Sequence, residues 1–259
     1  MTLRETTRLI VKLVEEHSGY PVQIVDDPNL STFASIRLAR RGGVPAHILV
    51  YRPVGSEAPD YLIAVQCGFA LRLFAVPPEL RLETGMNKAS FQRVRESLKQ
   101  TLRQNRQTLT ASELEQVSAQ MYDGLITHLR SVPVGLRIAR WLRESFPELH
   151  SLQRSVVEQE LKQNLEAARS ARGGRLPEAV VKPTLAINAA FAQFWAREYL
   201  EQDLAAGYMS GPDAQTGERL LGIWDNTPST ADADVALVDA WASALGLTGW
   251  YTWEPYQAP

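Results

Sequence analysis

The chain has 259 residues, 45% of them apolar and 22% charged, with 27 basic and 29 acidic side chains and a net charge of −2. That composition is ordinary for a soluble globular protein with a sizeable core, and a net charge so small selects no particular partner. Cys67 is the sole cysteine, which excludes an intramolecular disulfide and a thiolate zinc cluster.

No run approaches the roughly twenty apolar residues needed to span a bilayer, and the first residues lack the apolar stretch of a signal peptide. The expectation is a cytoplasmic protein without membrane partners. Charge is unevenly spread: residues 93–175 carry fourteen basic and nine acidic groups, whereas 176–259 carry three and eleven. A basic middle beside an acidic C-terminal third suggests internal pairing, or one basic face turned toward a partner.

Leu9, Ile10, Leu13 and Val14 recur at helical spacing, so residues 2–17 are predicted to form an amphipathic helix ending at Gly19. Three strand candidates follow, at 22–25, 33–39 and 47–51. Arg41, Gly42 and Gly43 supply a hairpin connection through residues that tolerate positive φ. Residues 54–59 read as a loop and 60–74 as a buried apolar helix, broken by Pro77 and Pro78.

Beyond that point the pattern is almost wholly helical. Helices are expected at 89–107, at 110–130 behind a Thr110–Glu113 capping box, at 134–145 after Pro133, and at 149–169. Further helices are expected at 178–200, 213–225 and 231–245. The aromatic tail holds Trp250, Tyr251, Trp253 and Tyr256 and reads as a closing strand, or else as an aromatic surface for a partner. The fold class is therefore α+β and predominantly helical. A division into 1–130 and 131–259, or one continuous domain, both fit; the basic turn near 170–175 is the other candidate boundary.

The stretch HILVYRP, a short loop, PDYLIA, a five-residue segment and ALRLF resembles the ImmA/IrrE-type zincin-like proteins. Active members of that group read approximately YLIAHExxHALR here, with two histidines one turn apart around zinc and a glutamate between them as general base. The resemblance implies a small zincin-like core of helix, short sheet and buried helix. It places Val65 and Phe69 at the histidine positions and Gln66 at the glutamate position. Neither Val65 nor Phe69 has a lone pair to donate, and an amide cannot take a proton at neutral pH. Cys67 is a ligand by type but lies about 200° around the helix from Val65, away from the former metal face.

His17, His47, His128 and His150 are isolated in sequence, and no GxSxG elbow, P-loop, GxGxxG turn or calcium loop occurs. Glu158 and Glu160 project in different directions from one helix and make no catalytic pair. The expectation is a chain without catalytic residues, metal or cofactor, leaning away from enzyme function. Its expected role is regulation or assembly through a protein or peptide partner held in the vestigial cleft. Arg37, Gln66 and Arg72 are its candidate cleft-binding groups. An alternative is a helical nucleic-acid-associated regulator using the arginines of 93–106 and 169–175, and a third is a hydrolase with a rebuilt zinc site.

Overall fold

A computed structural model describes residues 3–30, 32–53, 59–171, 176–208 and 212–258. Helix α1 (Glu5–Ser18) closes on Gly19, whose φ of 78° lets its N–H return to the carbonyl of Glu15. Strands β1 (Val22–Asp26), β2 (Ala34–Arg37) and β3 (His47–Tyr51) form a sheet in the order β1-β3-β2. β1 runs parallel to β3, with Val22 opposite His47, and β2 runs antiparallel, with Ala34 opposite Tyr51. The hairpin between β2 and β3 turns through Gly42 at φ 76°, as its sequence suggests.

Alternation buries His47, Leu49 and Tyr51 of β3 and sends Ile48 and Val50 the other way. Helix α2 (Pro59–Ala75) lies against β2, β3 and α1, and it is buried on most sides, as its unbroken apolar sequence requires. Of the expected loop at 54–59, residues 54–58 lie outside the described residues and Pro59 opens α2; Arg172 and Arg175 of the basic turn also lie outside them.

After α2 come strand β4 (Leu82–Met86) and helices α3 (Lys88–Gln104), α4 (Ala111–Ser145) and α5 (His150–Ala171). Helices α6 (Glu178–Tyr199), α7 (Pro212–Asn226) and α8 (Asp234–Ala244) precede the last strand, β5 (Tyr251–Pro255). The molecule is α+β and predominantly helical.

Two expectations from sequence are corrected. Residues 110–130 and 134–145 form one helix, α4, with Pro133 inside it. Proline removes one backbone donor and typically costs about 3 kcal/mol in a helix interior. Here Leu129, Val134, Leu136, Ile138 and Leu142 are all buried, so packing on both sides of the break holds the axis together. The Pro133 carbonyl accepts the indole N–H of Trp224 at 2.9 Å. The second correction is β4, which falls in a stretch expected to be helical. Its sequence, LETGM, has no alternation to betray a strand; it is paired by β5, Glu83 opposite Glu254 and Met86 opposite Tyr251.

That two-stranded sheet joins the first third of the chain to its end. Buried Tyr122 strengthens the join, donating its hydroxyl proton to the Trp250 carbonyl and accepting from the Asn87 N–H at 2.9 Å. Tyr256 likewise donates to the Ala39 carbonyl. The aromatic tail is thus a closing strand: Trp250, Tyr251 and Tyr256 are buried. A boundary between residues 130 and 131 would cut α4 in mid-helix, and one apolar core runs from Ile10 to Tyr256.

Candidate functional site: the cavity beside α2

α2 and α4 cross very closely. A Cβ on Gly68 would stand 2.3 Å from Cγ2 of Ile138, so only glycine allows this approach. The crossing fixes which face of α2 packs and which stays open. Cys67, Ala64 and Ile63, on the packed side, are fully buried. On the open side Val65, Gln66 and Phe69 line a cavity of about 1100 Å³. β2 supplies one wall; the others come from α4, α5, α6 and α8.

The structure therefore gathers Val65, Gln66 and Phe69 on one cavity-facing stripe, with Cys67 turned away. The Gln66 amide donates to the Ala34 carbonyl at 3.4 Å, a long contact that ties α2 to β2. Arg37, exposed on β2, and Arg72, on the last turn of α2, also lie on the cavity wall.

Arg72 is committed to other work, however. Its guanidinium donates to both carboxylate oxygens of Asp234 at 2.6 and 2.8 Å and to the carbonyls of Ser229 and Thr230 at 2.9 Å. It closes the α8 end of the cavity and has little capacity left for a ligand. Arg37 makes no hydrogen bond or ion pair among the described residues.

Zinc does not fit this wall. Val65 and Phe69 offer carbon where ligands are needed, and no group of three or more His, Cys, Asp or Glu side chains gathers among the described residues. The one imidazole on the lining, His128, bonds through Nε2 to the Asn188 side-chain oxygen at 2.8 Å. Burial lowers its pKa, only partly offset by that bond, and favours the uncharged ring. Of the remaining histidines, His17 bonds to the Leu13 carbonyl, His47 is sealed in the core, and His150 bonds to the Arg143 carbonyl.

The basic helices are largely absorbed internally. Arg137 and Arg140 pair with Asp234 and Glu198, and Arg154 makes a bidentate pair with Glu201 at 2.7 Å, all across to the acidic C-terminal third. Arg95 pairs with Glu115. Arg93, Arg103 and Arg106 are exposed on or just beyond α3, and Arg169 is exposed on α5.

Sequence reasoning missed the far side of the cavity. Glu160 on α5, Tyr61 on α2 and Phe191 and Trp195 on α6 all line it. Only the spacing Gln153, Val157, Glu160, Asn164 on α5 hinted at it, since it puts a carboxyl on a stripe that is otherwise apolar or amide. Comparison with protein-family models, with curated proteins and with solved structures finds no match to this chain.

Proposed function

We propose that the chain is a catalytically inactive, zincin-like protein, a pseudo-metallopeptidase. It would hold an extended segment of a protein or peptide in the cavity beside α2, in a regulatory or assembly role. The observation that carries this reading is the shared cavity of α2 and the outer edge of β2. Among the described residues β2 pairs with β3 alone. The Arg52 N–H bonds to the Phe33 carbonyl, so Phe33 and Ser35 direct their backbone groups at β3, while Ala34 and Ile36 direct theirs outward, where the Ala34 carbonyl accepts the long bond from Gln66 that an added strand would replace. An outward row of backbone donors and acceptors beside an apolar cavity suits β-strand addition. Main-chain bonds would supply affinity, and alternate side chains would enter the space lined by Val65 and Phe69. The same residues account for the missing chemistry, since hydrocarbon and amide stand where zinc ligands and base would be.

The alternative, nucleic-acid binding through the arginines of 93–106 and 169–175, keeps exposed Arg93, Arg103, Arg106 and Arg169, but Arg95 is paired with Glu115, and the neighbouring Arg137, Arg140 and Arg154 are taken by acidic partners. Selection of binding peptides from a displayed library, followed by hydrogen exchange of the complex, tests the proposal. Added protection confined to residues 34–37 and α2 supports it. Selected peptides that protect only other surfaces, or a failure to select any, would overturn it.

A further inference from the structure

The far wall of the cavity carries a group that the peptide reading does not use. Glu160 reaches the cavity from α5 and makes no hydrogen bond and no ion pair among the described residues. An unpartnered carboxyl against an apolar wall is costly, and proteins keep few of them. The same cavity is lined by the aromatic rings of Tyr61, Phe191 and Trp195. Gln153, two turns earlier on the same face of α5, donates to the Tyr61 hydroxyl at 3.3 Å, which fixes Tyr61 against this face of α5. Tyr199 stacks on Trp195 with ring centroids 5.1 Å apart, and the indole N–H of Trp195 has no partner among the described residues. Phe191, one turn before Trp195, completes the aromatic side.

We propose that this end of the cavity is a binding site for an organic cation, an ammonium or guanidinium on a hydrocarbon stem, with the charge on Glu160 and the stem among Phe191, Trp195 and Val157. A carboxylate gives such a cation its counter-charge, aromatic faces add attraction through their quadrupoles, and the apolar wall takes the stem.

The charged groups elsewhere do not pre-empt the site. Arg154 and Glu158, on the same helix, are engaged with each other and with Glu201. Arg72 is taken by Asp234, and Arg130 lies in the field of Arg40 and Glu83. Tyr61 and Tyr199 are pushed further from ionisation by burial, and burial lowers the pKa of His128. Burial alone raises the pKa of Glu160, to about 7, which is the signature of a carboxyl with no cation beside it. A bound cation would restore the carboxylate and expel the proton.

The inference rests on the cavity and not on the pseudo-peptidase reading: an amine can seat on Glu160 whether or not a peptide adds to β2. Calorimetric titration of the full chain with n-hexylammonium and with 1-hexanol, a neutral chain of matching length, tests it. Hexylammonium should bind about tenfold or more tighter than hexanol at pH 8. Its affinity should fall about tenfold at pH 6 as Glu160 takes up its proton. Near pH 7 the heat should vary with the ionisation enthalpy of the buffer, reporting proton release. Glu160→Gln, a near-isosteric change with little reason to unfold the chain, should bring the two ligands to the same affinity. Equal affinities in the unaltered protein, a preference for the amine that survives Glu160→Gln, or no binding of either ligand would overturn the inference.

Discussion

Arg137 and Asp234, 97 residues apart, meet at 2.7 Å with the arginine side chain 3% exposed and the aspartate side chain 16%. Arg72 binds the same carboxylate, and the second guanidinium nitrogen of Arg137 donates to the Thr227 carbonyl at 3.1 Å. One aspartate at the start of α8 thus fastens α2 and α4 to the C-terminal third and closes one end of the cavity. Burial lowers the pKa of Arg137, and the hydrogen bond and charge of Asp234 oppose that.

Removing Asp234 would leave two guanidinium groups facing each other with one anion lost. Asp234→Ala should therefore destabilise the fold by about 3–5 kcal/mol, the usual cost of breaking a buried pair from one side. Urea unfolding measures it. A loss below about 1 kcal/mol would mean that water replaces the carboxylate without penalty.

The α2–α4 crossing makes a second prediction. Gly68→Ala forces a methyl group into Ile138, so the helices must separate, at a cost of about 1–3 kcal/mol. Ile138→Ala removes the γ carbons that the new methyl would meet, so Gly68→Ala and Ile138→Ala together should cost less than the two single losses summed. If the two losses simply add, the contact is not the cause.

Glu160 makes stability depend on pH in a defined sense. Its pKa is raised to about 7 from an ordinary value of 4.5. Between those values the folded chain keeps a proton that the unfolded chain has released, so stability falls as pH climbs through this window and levels off above it. The loss is about 2–3 kcal/mol. Glu160→Gln should abolish this component, giving a variant more stable than the parent at pH 8 and similar near pH 4.5. Parallel stability curves for the two proteins would contradict the assignment.

Cys67 should be silent. Its thiol is wholly buried, and burial pushes its pKa up to about 12, so the reactive thiolate is scarce. A thiol reagent should modify the native chain only at the rate of unfolding, and promptly in denaturant. Fast native labelling would place Cys67 on the cavity side of α2.

Much of this arrangement was legible in the sequence because local chemistry decides it. The glycine stop after α1, the Thr110–Glu113 capping box and the apolar run of α2 each act over a few residues. The spacing of Val65, Gln66 and Phe69 put them on one stripe opposite Cys67, and the cavity lies along that stripe. What was hidden depends on partners distant in the chain. β4 is a strand because β5 pairs it, and α4 continues through Pro133 because buried side chains grip it on both sides. Arg72, a candidate for ligand binding, is held by an aspartate 162 residues later. Glu160 gains its character from burial on a cavity whose other walls come from distant parts of the chain.

If Val65 and Phe69 occupy former ligand positions, histidine restored at both should converge on the cavity. Val65→His combined with Phe69→His should bind cobalt(II) or zinc measurably, with the d–d spectrum of cobalt reporting the imidazoles. Each single replacement should bind far more weakly. No gain in the double variant would place the two positions too far apart to share an ion.

On the proposed pseudo-peptidase reading, hydrocarbon stands in place of metal ligands on the cavity side of α2. Elemental analysis of the unaltered protein, purified without chelator and equilibrated with zinc before gel filtration, tests it most directly. The account predicts zinc at trace level only, unchanged by Val65→Ala or Phe69→Ala. One zinc ion retained per chain, removed by chelation together with a peptidase activity, would contradict it.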